Sequence, residues 1–247
     1  THTGINIGEP AVATTRRELK RYTLDISNER VRRTYKTALQ RGAMIADAIK
    51  KIISDYDLEA VLVYDTSYIY GKIPLELCHN HGINAYTHET GYHEGKLMYG
   101  RAANKIAHGR FSNREIVSQV VRTELKKCQR HRIREVMKKR ESGDITRVQY
   151  SASNSSSIDV PEKHIVGIFS HLLWDAAIEP QEAIYQDFYS WLRDTIEVGA
   201  RMDDTHFVIK SHPAENIRGT NESVVDWINE SYESLPPNFT VLPADTD

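Results

Sequence analysis

The chain has 247 residues, 40% hydrophobic and 27% charged, and a net charge of −2 at pH 7. This length supports one large domain or two small ones, with the composition of an ordinary globular protein. The charge balance excludes a global pull toward nucleic acid or membrane, the two distant cysteines Cys78 and Cys128 exclude a disulfide framework, and no apolar run approaches the roughly 20 residues that span a bilayer.

The chain opens at Thr1 without an initiator Met and stops at Asp247, just past a strand-like Phe239–Leu242. A parallel sheet seldom ends there without a following helix, so the sequence reads as truncated at both ends. Residues 29–54 predict an amphipathic helix, because Leu39, Ala43, Ala46, Ile49 and Ile53 recur at helical spacing among basic residues. Ala60–Tyr64 is a short apolar run that predicts a buried parallel strand ending at Asp65. A helix over Ile73–Asn80 follows, with Pro74 in its first turn and Gly82 just past its end. Ile83–Thr87 is the next strand, completing a βαβ unit.

After Ser112 and Asn113 a long polar helix is expected over residues 114–140. Ile116, Val120, Leu125, Ile133 and Val136 form its narrow apolar stripe, and it is basic, with Lys126, Lys127, Arg130, Arg132, Arg134, Lys138, Lys139 and Arg140. Such a face is solvated, or it contacts anionic lipid head groups or an anionic polymer. The Ser- and Asn-rich stretch 151–157 marks a linker, and the sequon at Asn154, like those at Asn221, Asn229 and Asn238, reads as a chance match.

A second α/β pattern begins at Ile165–Phe169. A helix over Ala183–Ala200 offers Ile184, Phe188, Trp191, Leu192, Ile196 and Val198 to a core. A strand over Phe207–Lys210, a helix over Val224–Tyr232 and a strand over Phe239–Leu242 complete it. The expected fold class is α/β with two Rossmann-like lobes. The first spans residues 1–145, the linker 146–163 and the second lobe 164–247, with a ligand cleft between the lobes.

Three loops carry candidate chemistry. Lys210-Ser211-His212-Pro213-Ala214-Glu215-Asn216 directly follows a strand, at the edge where open α/β sheets bind ligands. Lys210 and His212 are phosphate donors in type, and Pro213 stiffens the turn. Ser170 and His171 follow the first strand of the same lobe, so both histidines open on one edge. Trp174 beyond them reads as a core aromatic and Asp175 as a helix cap. In the first lobe, His88-Glu89-Thr90-Gly91-Tyr92-His93-Glu94-Gly95 follows a strand, and Glu89 or His88 is a candidate general base. The histidine spacing, including His79 and His81, matches no standard zinc pattern, so no metal is expected. With no G-x-G-x-x-G fingerprint and no P-loop, neither an NAD cofactor nor ATP hydrolysis is expected.

Val166-Gly167-Ile168-Phe169 through Trp174-Asp175-Ala176-Ala177, followed by Val208-Ile209-Lys210-Ser211-His212-Pro213, resembles the capsule polysaccharide biosynthesis family of glycosyltransferases. Ala85-Tyr86-Thr87-His88-Glu89-Thr90-Gly91-Tyr92 is similar to that family's strand and acidic loop. The likeness covers nearly the whole chain loosely and is specific only around Lys-Ser-His-Pro. It implies a GT-B fold whose C-terminal lobe binds the donor nucleotide. In related Kdo transferases and bacterial sialyltransferases a His-Pro motif contacts the phosphate of a CMP-linked donor. Carried over, that role falls to His212, shaped by Pro213, and the base role to Glu89.

The family continues past Asp247 into a loop that completes the donor pocket, and Pro243–Asp247 resembles the approach to it. The resemblance extends to CDP-glycerol-type polyol-phosphate transferases, while a non-catalytic nucleotide- or sugar-binding module is the alternative from another class. The implied activity is transfer of a sugar from a nucleotide-activated, CMP-linked donor to a surface-polysaccharide or lipid-linked acceptor. It is expected in the cytoplasm, with weak peripheral contact at the inner membrane face through residues 114–140 and no role for nucleic acid.

Overall fold

The computed structural model describes residues 1–90, 97–101, 121–142, 161–175, 184–185 and 187–246. They form seven helices and two three-stranded sheets. The chain divides into two compact units, each drawn from two stretches of sequence. Thr1–Val12 and Lys36–Gln149 make the first, and Ala13–Tyr35 and Tyr150–Asp247 the second. Helix α1 (Gly8–Leu19), not expected from the pattern of residues, and helix α2 (Glu29–Asp55) each contribute residues to both units.

In the first unit, strand β1 (Ala60–Tyr64) pairs in parallel with β2 (Asn84–Thr90), and β2 pairs antiparallel with β3 (Leu97–Arg101). Helix α3 (Ile69–Asn80) connects β1 to β2 and packs Leu75 against Val63 and Ala85. It begins four residues earlier than expected, so Pro74 lies inside it rather than in its first turn. Burial explains this: Ile69, Ile73 and Leu77 recur at i, i+4 and i+8 and are at most 1% exposed. Each such side chain contributes about 1.5–3 kcal/mol. The carbonyl that Pro74 leaves without its helical partner belongs to Tyr70, whose side chain faces solvent.

Gly71 permits the tight β1–α3 connection, since a Cβ there would sit 1.4 Å from the Asp65 carbonyl oxygen. Asp65 itself adopts a left-handed backbone, with φ of 67°. Lys72, almost fully buried, reaches Glu9 at the start of α1 with an ion pair of 2.8 Å.

Several expectations are corrected here. β1 is not buried on both faces, because Leu62 and Tyr64 are exposed. β2 runs on through His88, Glu89 and Thr90, which belong to a ladder and not to a loop. β3 was not anticipated, although Leu97, Tyr99 and Arg101 alternate onto one face. The basic segment is no single helix from 114 to 140: residues 123–126 are non-helical, and helix α4 spans Lys127–Glu141. The Lys126 backbone N–H donates to Gln129 Oε1 at 2.9 Å and Arg130 N–H donates to Lys126 O at 3.0 Å, so the helix starts afresh there. Of the stripe, Ile133 is exposed, while Leu125 and Val136 are partly buried. Ile116 and Val120, the linker 146–160 and the stretch Gly91–Gly95 lie outside the described residues.

In the second unit β4 (His164–Phe169), β5 (Thr205–Lys210) and β6 (Phe239–Leu242) are all parallel, with β5 central. Helix α5 (Phe188–Gly199) and helix α7 (Val224–Ser231) supply Leu192, Ile196, Val224 and Ile228 to one core with Ile168, Ile209 and Phe207. The short helix α6 (Ala214–Arg218) leads from β5 toward α7. α5 starts later than expected because Asp187 caps it, accepting from the Ser190 N–H. Ile184 lies ahead of that cap and Val198 near the helix's far end; both are exposed and neither is a core residue. α7 carries a capping box between Ser223 and Asp226. Phe207 and Phe239 stack at 4.7 Å, close enough to Gly199 that a Cβ there would lie 2.6 Å from Phe239.

Asn238 is buried, and its amide donates to the carbonyls of Gly199, Met202 and Thr205, so this sequon serves the interior. β4, expected to be buried, leaves Ile165 and Phe169 exposed, whereas β5 is buried along most of its length.

Residues from the start of the chain complete this unit. Glu222 accepts from the Tyr22 and Thr23 N–H groups, from the Thr23 hydroxyl and from Tyr189, which donates its hydroxyl. Asn221 donates its backbone N–H to Lys20 O and its side chain to Leu19 O. Tyr22 meets Tyr189 edge-on at 5.1 Å, with the Arg16 guanidinium 3.9 Å over its ring.

Candidate functional site

Because β4, β5 and β6 run parallel, their carboxyl ends open on one edge of the second unit's sheet. Ser170 and His171 follow β4, and Ser211, His212 and Pro213 follow β5. Backbone bonds hold these loops in register: Ser170 N–H donates to Lys210 O, and Ser211 N–H to Leu242 O, both at 3.0 Å. The Lys210 ammonium donates to the carbonyls of Pro243 at 2.7 Å and Ala244 at 3.3 Å. Lys210 thus ties the loop after β6 to the central strand, besides placing a positive charge at the edge.

The two histidines have opposite hydrogen-bonding roles. His212 Nδ1 accepts the Ala214 N–H at 3.0 Å, so its ring proton sits on Nε2. His171 Nδ1 donates to Leu172 O at 3.0 Å, which in the neutral ring leaves Nε2 as an acceptor. The rings are 6.0 Å apart. Burial holds the His212 pKa below its ordinary value, and His171, Arg218 and Lys210 add to this against the opposing pull of Asp175. At neutral pH His212 is therefore an uncharged imidazole that donates through Nε2. Pro213 keeps its backbone at φ −59° as the residue before α6, and Glu215 N–H closes the turn onto His212 O at 2.9 Å.

Ser170 and Ser211 extend the buried rows of Ile168 and Ile209 and are 7% and 0% exposed. Neither hydroxyl has a hydrogen-bond partner among the described residues. An unmatched buried hydroxyl costs about 1–3 kcal/mol, and these two follow neighbouring strands at the edge where open α/β sheets bind ligands.

The structure brings Lys210, Ser211, His212, Pro213, Ser170 and His171 together, all within one unit. His88 and Glu89 belong to the other unit. His88 pairs with Tyr64 and Tyr99 across the sheet, its ring 5.2 and 6.2 Å from theirs, and its Nδ1 is buried without a partner among the described residues. Glu89 stands opposite Met98 in the β2–β3 ladder. Trp174 is a core aromatic as expected, 2% exposed and packed with Leu172 and Ala214, with Nε1 donating to Thr220 Oγ1 at 2.9 Å.

Sequence reasoning gave no role to Glu215 or Lys20. Glu215 is 5% exposed, and burial pushes its carboxyl up to about 7, against the Val224 N–H that points at Oε1 from 3.5 Å. Its place in the Lys-Ser-His-Pro-Ala-Glu run was the available signal. Lys20 arrives from the start of the chain, and no local pattern connects it to His212. Among the described residues no group of three His, Cys, Asp or Glu side chains could hold a metal ion. Comparison of the chain with protein-family models, with curated proteins and with solved structures finds no match.

Proposed function

We propose that this chain is the donor-handling part of a GT-B-type glycosyltransferase. It moves a sugar from a nucleotide-activated donor, CMP- or CDP-linked, to a surface-polysaccharide or lipid-linked acceptor. The observation that carries this reading is the sheet edge itself: an uncharged imidazole donor on His212, the Lys210 charge and the two unmatched hydroxyls of Ser170 and Ser211. Group transfer from a nucleotide builds negative charge on the departing phosphate, and donors fixed in advance stabilise it without reorganising. His212 donates to that phosphate through Nε2, and Ser170 and Ser211 supply further donors. His171, with Nε2 as acceptor, orients a ligand hydroxyl or N–H.

A thermal-shift panel of CMP, CDP, UDP and GDP tests the site. A ligand that binds only the folded state raises the melting temperature by mass action. Cytidine nucleotides are expected to shift it and UDP to shift it less; a shift with UDP alone overturns the choice of nucleotide, and no shift at all overturns the site.

A lipid-linked acceptor also places the protein at a membrane face. Helix α4 presents Lys127, Arg130, Arg132, Arg134, Lys138 and Lys139 to solvent. Each contributes about 1 kcal/mol when held near an anionic leaflet, while the sparse apolar stripe prevents deep insertion. Anionic vesicles are expected to co-sediment the protein at low salt and release it at high salt. Failure to bind at low salt leaves α4 a solvated helix.

A further inference from the structure

A sugar transferred to a hydroxyl displaces that hydroxyl's proton, so the reaction needs a group to take it. His171 has the features of such a base. Its Nδ1–H is committed to Leu172 O at 3.0 Å, and the same carbonyl accepts the Asp175 N–H at 3.0 Å. Leu172 is 6% exposed and packs with Trp174 and Ala214. Trp174 is pinned in turn by its Nε1 bond to Thr220 and by the Lys20 ammonium 4.2 Å over its ring. The oxygen that anchors His171 therefore belongs to a well-packed turn after β4. The other ring nitrogen, Nε2, has no partner among the described residues, and His171 is exposed.

An imidazole anchored through Nδ1–H presents a lone pair on Nε2. The anchoring bond persists when Nε2 gains a proton, so taking one requires no rearrangement of the turn. His212 is the opposite case, with Nδ1 accepting the Ala214 N–H and its proton on Nε2. The two rings are 6.0 Å apart, which sets a proton acceptor beside a proton donor. A phosphate held by His212 brings the bond that breaks within reach of His171, directly or through one water. Glu215, the carboxyl of the neighbouring loop, is 5% exposed and lies inside the unit.

We propose that His171 is the general base of the transfer, a role that rests on the donor-site reading above. The acceptor oxygen attacks the sugar carbon that carries the phosphate. As the new carbon–oxygen bond forms, the hydroxyl proton passes to His171 Nε2. The old bond breaks with its electron pair going to the phosphate oxygen, toward which His212 Nε2–H donates. The His171 imidazolium releases its proton to water once the nucleotide leaves. With water in place of the acceptor the same steps hydrolyse the donor, so the base is open to assay without the natural acceptor.

CMP-linked Kdo and CMP-linked sialic acid serve as donors and water as acceptor, and CMP release by the full chain is followed. The native protein is compared with His171→Asn and His171→Ala. Asparagine carries an amide N–H near the Nδ1 position, so it can still donate to Leu172 O, but it offers no acceptor at Nε2. His171→Asn is expected to slow CMP release by about 10²–10⁴-fold, the usual contribution of a positioned base. Its calorimetric affinity for CMP is expected to stay within about twofold of native, since the base acts on the chemical step. Free imidazole should restore part of the rate in His171→Ala, where it has room to replace the lost ring, and should not accelerate the native protein. Undiminished release in His171→Asn, a rate that falls only in step with CMP affinity, or no response of His171→Ala to imidazole overturns the base and leaves the donor reading in place. Failure of the native protein to bind CMP, or to release it from either donor, overturns the donor reading and the base together.

Discussion

Replacing His212 by Asn is expected to slow transfer from a nucleotide-activated donor by about 10²–10³-fold, the usual cost of removing one fixed donor to a developing charge. Asparagine is the informative change. Its Oδ1 takes the place of Nδ1 and can still accept the Ala214 N–H, so the turn into α6 survives. What disappears is the proton on Nε2. His212→Gln, which carries an N–H group near the Nε2 position, should recover part of the rate. Steady-state kinetics on the full-length protein give the comparison, and the loss should fall on kcat more than on KM if the bond strengthens in the transition state. Unimpaired turnover in His212→Asn would sink the role assigned to this ring.

The pH dependence of binding is a corollary. Because burial holds the His212 pKa below its ordinary value, an arriving anion raises its proton affinity, so affinity should rise as pH falls.

The second large effect concerns Glu215. In the unfolded chain this carboxyl ionises near 4.5, whereas in the fold burial raises it to about 7. Between those values the native state holds a proton that the unfolded state has released, so stability declines as pH rises. The decline is complete once pH exceeds the folded value, and it amounts to at most ~3 kcal/mol. Glu215→Gln keeps a neutral polar group of the same shape that can still accept the Val224 N–H. Denaturant unfolding should show native and variant nearly equal at pH 4.5 and the variant more stable at pH 8. Parallel stability curves across that range would mean that Glu215 titrates as an ordinary surface acid.

The elements legible in the sequence were those whose apolar residues keep one period and meet a partner on one face. α2, β5, β6 and α7 fall close to where their patterns place them, and α7 carries its start signal in Ser223 and Asp226. The errors have separate causes. Pro74 reads as a helix start, yet three buried aliphatic residues outweigh one lost hydrogen bond. The basic stretch reads as one helix because charge and period continue through it, while the break near Lys126 depends on a single side-chain bond from Gln129.

For the candidate site, Lys210, Ser211, His212, Pro213, Ser170 and His171 could be assembled from sequence because strand-ending loops of one parallel sheet open on one edge. That argument could not show that Lys210 spends hydrogen bonds on Pro243 and Ala244, nor that the two imidazoles take opposite tautomers. Those facts depend on where backbone carbonyls and N–H groups fall. Lys20 lay beyond reach for another reason: it meets Trp174 across more than a hundred and fifty residues of chain.

That same separation shapes how the protein is made. Tyr22 and Thr23 bond to Glu222 at sequence distances of 200 and 199 residues. At roughly 5–20 residues per second, synthesis of the intervening chain takes roughly 10–40 s. For most of that interval Ala13–Tyr35 has been translated while the strands and helices of its unit, which begin at His164, do not exist. Leu19, 6% exposed in the finished fold, and Tyr22 lack the bonds from Asn221 and to Glu222 until those residues are made. The second unit therefore cannot form from residues 150–247 alone: its assembly closes a loop of chain that contains Lys36–Gln149, a slow, non-local step. During that delay the apolar side chains of Ala13–Tyr35 that the second unit buries are exposed to solvent.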